Sequence, residues 1–160
     1  MEAHDGFATF RFRSLADAER LTELISQNLP PARKATVRLT AALAAAGCAK
    51  PDGISQITAT NGIVDLGHLD VLHALRLWAL LGAGPAADRF DPEQMDWQTC
   101  HDLAHQMNDI FRDACNGPVS ITADPACSTC TSHRPDRIAL GFISAAQALH
   151  LAGRIEAATA

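Results

Sequence analysis

Cys127 and Cys130 stand three positions apart with His133 just beyond them, and a stretch upstream carries Cys100, His101 and His105. Thiolates and imidazoles are the ligands zinc takes four at a time around a tetrahedron. Two histidines four positions apart share one face of a helix, so His101 and His105 can hold one ion between them. The set His101, His105, Cys127 and Cys130 would close the coordination sphere and leave no open position for a substrate. A competing set is Cys115, Cys127, Cys130 and His133, which needs the thiols near the other end of the same helix. An iron–sulfur cluster on Cys100, Cys115, Cys127 and Cys130 is a third use of these residues.

The elements that must bring them together follow from periodicity. Cys100, Leu103, Ala104, Met107, Ile110, Phe111 and Ala114 fall on one arc at about 100° per residue and predict the buried stripe of a long helix. That helix is expected to open at Asp91-Pro92-Glu93 and to run to about Cys115, where Asn116-Gly117 closes it. His101 and His105 lie on its flank, Asp102 and Asp109 on its solvated side. Val119–Thr122 reads as a short strand. Folded back along the helix, this strand with its flanks covers about 17 Å, about eleven helical residues, which delivers the two thiols beside His101 and His105.

Earlier in the chain, Phe7–Arg13 reads as a strand, Ser14 caps a helix to about Asn28, and Pro31 opens a second that ends at Gly47. Asn61-Gly62, between two β-prone runs, is the strongest hairpin signal. A third helix is expected over about Leu69–Leu81, and a last one from Pro135 to about Ala152. The class is α+β and helix-dominated, with about five helices, a short N-terminal strand, a hairpin and one late short strand. One compact domain is expected over residues 1–160, with a sub-boundary at 82–88, and no internal repeat is evident.

With 48% hydrophobic residues in 160, a packed core needs no disulfides, and five cysteines, an odd number, do not make a secreted framework. The polar, acidic Met1–Asp5 and the lack of a long apolar run predict no signal peptide, no membrane span and a cytoplasmic protein. Net charge is −5, and residues 51–160 hold thirteen acidic against six basic side chains, which would repel a phosphate backbone.

Three resemblances widen the field. Residues 21–67 resemble a winged-helix DNA-binding regulator, in which Arg33, Lys34 and Arg38 would meet phosphates or base edges and the hairpin would turn at Pro51-Asp52-Gly53. His73, His101-Asp102 and Asp136 occur in the order of an HD-type metal-dependent phosphohydrolase, which implies a metal-generated hydroxide. Ala126-Cys127-Ser128-Thr129-Cys130 looks like the opening of a thioredoxin domain, but about 25 residues cannot supply the remaining strands. The sequence as a whole points to a small zinc-stabilised regulatory domain that binds another protein or itself.

Overall fold

A computed structural model describes residues 14–48, 57–124 and 136–160, with 22–28 as backbone alone. The expected strand at Phe7–Arg13, the turn at Pro51–Gly53, and Cys127, Cys130, His133 and Pro135 all lie outside these residues.

Helix α1 (Leu15–Asn28) starts where the Ser14 hydroxyl accepts a hydrogen bond from the Asp17 amide at 3.2 Å. Pro31, whose fixed φ suits a first helical position, opens α2 (Pro31–Ala45). Strands β1 (Thr58–Thr60) and β2 (Ile63–Asp65) form the expected hairpin. Its turn residues Asn61 and Gly62 both take positive φ, 51° and 82°, the tight turn whose twist matches antiparallel strands. Strand β3 (His68–Asp70) leads into α3 (Val71–Trp78), which is capped by the Asp70 carboxylate. Leu69, expected in the helix, is therefore a strand residue.

Residues 82–88, the expected sub-boundary, belong to a wide turn (Ala79–Ala83) and a 3-10 turn (Gly84–Arg89) packed on each other, and α3 touches the long helix that follows them. The long helix α4 (Trp97–Cys115) is capped by Asp96, whose carboxylate accepts from the Thr99 amide at 2.8 Å. Asp91, expected as the cap, instead accepts from the Glu93 amide in a turn of its own. The late strand is β4 (Thr122–Asp124), beginning where the sequence placed its end.

The largest departure comes last. The stretch expected to be helical from Pro135 holds two strands, β5 (Arg137–Ala139) and β6 (Phe142–Ser144), before α5 (Ala145–Thr159). Ile138 and Leu140 point inward two positions apart and Ile143 three further on, past the bend at Gly141, a mixed spacing that a run this short does not separate from a helix edge. The helix waits for Ser144, whose hydroxyl accepts from the Gln147 amide while the Gln147 side chain returns to the Ser144 amide. The α+β, helix-dominated class stands.

The strands make two three-stranded antiparallel sheets, ordered β1-β2-β6 and β3-β5-β4. They are halves of one ladder. Ile63 pairs with Ser144 and Asp70 with Arg137 in an unbroken register, joined by Leu66 N–H to Gly141 O and Leu140 N–H to Gly67 O, both 2.9 Å. Gly67 and Gly141 take φ of 68° and 74° at the bend. The two inter-strand bonds interchange when residues 66–67 and 140–141 are swapped, so the crossing has a local pseudo-two-fold axis. Below it lies one core, built from Leu39, Val64, Leu77, Met107, Phe111 and Ile138 with their neighbours.

Candidate metal centre

Helix α4 buries Cys100, Leu103, Ala104, Met107, Phe111 and Ala114, as its periodicity predicted, and leaves His101, Asp102, His105 and Asp109 exposed. What fixes the neighbouring strand is Asn108. Its Oδ1 accepts from the Ile121 amide at 2.9 Å and its Nδ2 donates to the Ile121 carbonyl at 3.0 Å. One amide side chain thereby satisfies both backbone groups of the residue before β4.

Asn108 and His101 differ by seven positions, about two turns, so they share one line along the helix about 10 Å apart. From Ile121 to Asp124 the strand advances about the same 10 Å. Asp124 pairs with Arg137, and the carboxylate of the adjacent Asp136 acts on the Cys100 thiol. The strand therefore runs toward the first turns of α4 and ends level with His101. Asp124 and Asp136, the described residues nearest each end of segment 125–135, therefore lie at this end of the helix.

Distances along α4 limit which described residues can share one ion. Cys115 lies at the far end of α4, about 22 Å from Cys100 along the axis, so these two cannot share a cluster. Both are fully buried. Burial pushes the Cys115 thiol up to about 11. Burial, with Asp136 and Asp96 adding to it, does the same to Cys100, also to about 11. Both are thiols of the packed core. Cys48 is raised as well, by burial that outweighs the opposing charge of Arg76.

His101 is half exposed, with its ring 5.4 Å from that of Trp97 one turn earlier. Its Nδ1 stands 3.9 Å from an Asp102 oxygen, an electrostatic contact too long for a hydrogen bond. Across the base of the 125–135 segment, Asp124 Oδ2 lies 3.3 Å from both His68 Nε2 and an Arg137 guanidinium nitrogen. Sequence reasoning missed Asn108, Asp124 and His68. Their meeting depends on pairings between distant strands, and no local spacing signals it.

The phosphohydrolase set does not assemble. His73 is tied by Nδ1 to Asp70 at 2.6 Å, while Asp102 takes a hydrogen bond from Gln98 at 3.0 Å on the solvated side of α4. The groove of about 520 Å³ beside His73 is walled by Leu72, Arg76, Asp88 and Phe90, with neither His101 nor Asp102 among its walls. Among the described residues, no three histidine, cysteine or acidic side chains surround a common point. The hairpin at Asn61-Gly62 forms, whereas Pro51-Asp52-Gly53, where the winged-helix reading put its turn, lies outside the described residues. Arg38 is engaged within the fold, its guanidinium held by both oxygens of Glu156 on α5 at 2.9 and 2.6 Å. Comparison of the chain with protein-family models, curated proteins and solved structures finds no match.

Proposed function

We propose that this chain is a small zinc-stabilised domain of a reducing, intracellular compartment whose role is to bind a protein partner or a second copy of itself. The metal would be held by His101 and His105 from α4 and by Cys127 and Cys130. The single observation that carries the reading is the Asn108–Ile121 clasp, which aims β4 along the flank where His101 stands. The donor set suits the ion: two exposed imidazoles one turn apart, and two thiols whose deprotonation the metal itself would drive. Bound there, zinc would supply a fixed tetrahedral junction. Four protein ligands leave no position for a reacting water, which favours binding over turnover.

Partner binding also has support from what lies exposed nearby. Trp97, 54% exposed, begins the same helix, and tryptophan is the side chain that most often anchors an interface. Free thiols at Cys48, Cys100 and Cys115 accord with the reducing setting. No helix among the described residues is long and apolar enough to cross a membrane.

Elemental analysis of the purified chain, with thiol titration before and after chelation, tests the proposal. Because Cys48, Cys100 and Cys115 are buried, the native titration reads Cys127 and Cys130. One zinc per chain, and two thiols that react only after chelation, is the expected result. Two thiols that react at once in metal-free protein would overturn it. His101→Ala and His105→Ala should each lower zinc retention at least tenfold, while exposed His150→Ala should not.

A further inference from the structure

The pseudo-two-fold crossing of the ladder extends through the whole order of elements. Helix α2, strands β1, β2 and β3 and helix α3 are matched in sequence by α4, β4, β5, β6 and α5. In each set the first helix packs on its own hairpin strand and on the last helix of the other set. Residue types follow the same mapping at several positions, although Leu75 is buried and its counterpart Leu149 is exposed. Leu66-Gly67 corresponds to Leu140-Gly141, Leu69 to Ile143, Ala74-Leu75 to Ala148-Leu149, and Leu77 to Leu151. Asp70, which caps α3, corresponds to Ser144, which caps α5.

The hairpins differ in one respect. Thr60 pairs with Ile63 across the two-residue Asn61-Gly62 turn, and the corresponding pair, Asp124 with Arg137, is joined by residues 125–136. On either side of these connections the registers match pair for pair. The outer faces have diverged with them. Where the first hairpin and its neighbour show Thr60, Ile63 and the exposed Phe142, the second shows Asp124, Arg137 and His68, linked by contacts of 3.3 Å.

We infer that the chain is two interlocked copies of one α-β-β-β-α unit, and that the segment bearing Cys127, Cys130 and His133 is an insertion in the hairpin turn of the second copy. The scaffold is complete without it. The segment enters this inference only as a length of chain between two matched strands. Its metal-binding role rests on the function proposed above, whereas its status as an insertion does not.

The first copy supplies the test. Residues 125–136 are replaced by Asn-Gly in the full chain, and in a second variant by a Gly/Ser segment of the original length. Both variants are expected to keep the parent's helical circular dichroism and a single cooperative melt within about 5 °C of the metal-free parent. Neither should retain zinc, and chelator should no longer shift either melt. If only the Gly/Ser variant folds, the sequence of the segment is still dispensable and the inference holds. Loss of cooperative unfolding in both would overturn it. Zinc content of the unmodified chain is a separate readout, so failure of the metal assignment and failure of the insertion are told apart.

Discussion

A Cβ at position 141 would meet the Ser120 carbonyl oxygen at 2.5 Å, and the backbone there sits at φ 74°. Gly141→Ala therefore combines a left-handed penalty of about 1–2 kcal/mol with a clash against backbone, and should cost more than about 2 kcal/mol in urea unfolding. Asn108→Ala strips both partners from Ile121. Equilibrium unfolding should register a loss of about 1–3 kcal/mol, and zinc affinity should fall although no ligand has been touched. The buried thiols give a pH signature. Cys100 and Cys115 titrate near 11 in the folded chain against an ordinary value of 9.0. A group whose pKa is raised by folding favours the folded state while protonated, so this contribution is intact below about pH 9 and is lost as pH climbs through about 11. Denaturant midpoints over that window should fall more steeply for the parent than for the Cys100→Ala/Cys115→Ala double variant; parallel slopes would contradict the assignment.

Helix ends show how far local sequence reaches. Ser14, Pro31, Asn61-Gly62 and the apolar arc of α4 each carry their instruction within a few residues, and each forms what its chemistry dictates. The strands β5 and β6 do not. Arg137–Ser144 is a short apolar run whose partner, residues 63–70, lies in the other half of the chain, so pairing decides what periodicity cannot. The duplication escaped notice for a related reason. It survives in a few Leu, Gly and Ala positions, while the surface residues between them have diverged. Of the candidate centre, the flank of His101 and His105 was legible from helical spacing, but the strand that approaches it depends on Asn108 reaching Ile121. The matched caps make an element-scale prediction: Asp70→Ala and Ser144→Ala should each cost about 0.5–2 kcal/mol, measured by thermal melting, since each frees helix-end amides. A loss confined to one of them would argue against equivalent helices.

Across the whole molecule, the shared ladder means that neither copy closes a sheet alone. Strands β2 and β3 take their long partners from residues 137–144, and α2 packs on α5. Fragments 1–95 and 96–160 should be non-cooperative when separate and should regain the parent's dichroism on mixing; a separate fragment with a sharp melt would contradict the interlocking. Native-state exchange should be slowest at Leu66 and Leu140, whose amides cross the axis. The two tryptophans, finally, divide the molecule optically. Trp78 is 2% exposed and meets Phe90 edge-on, whereas Trp97 is half in solvent with the His101 ring against it. Emission at the blue edge should follow melting of the interior. The red edge should respond to whatever binds that imidazole, so the unlabelled chain carries its own fluorescent gauge of occupancy.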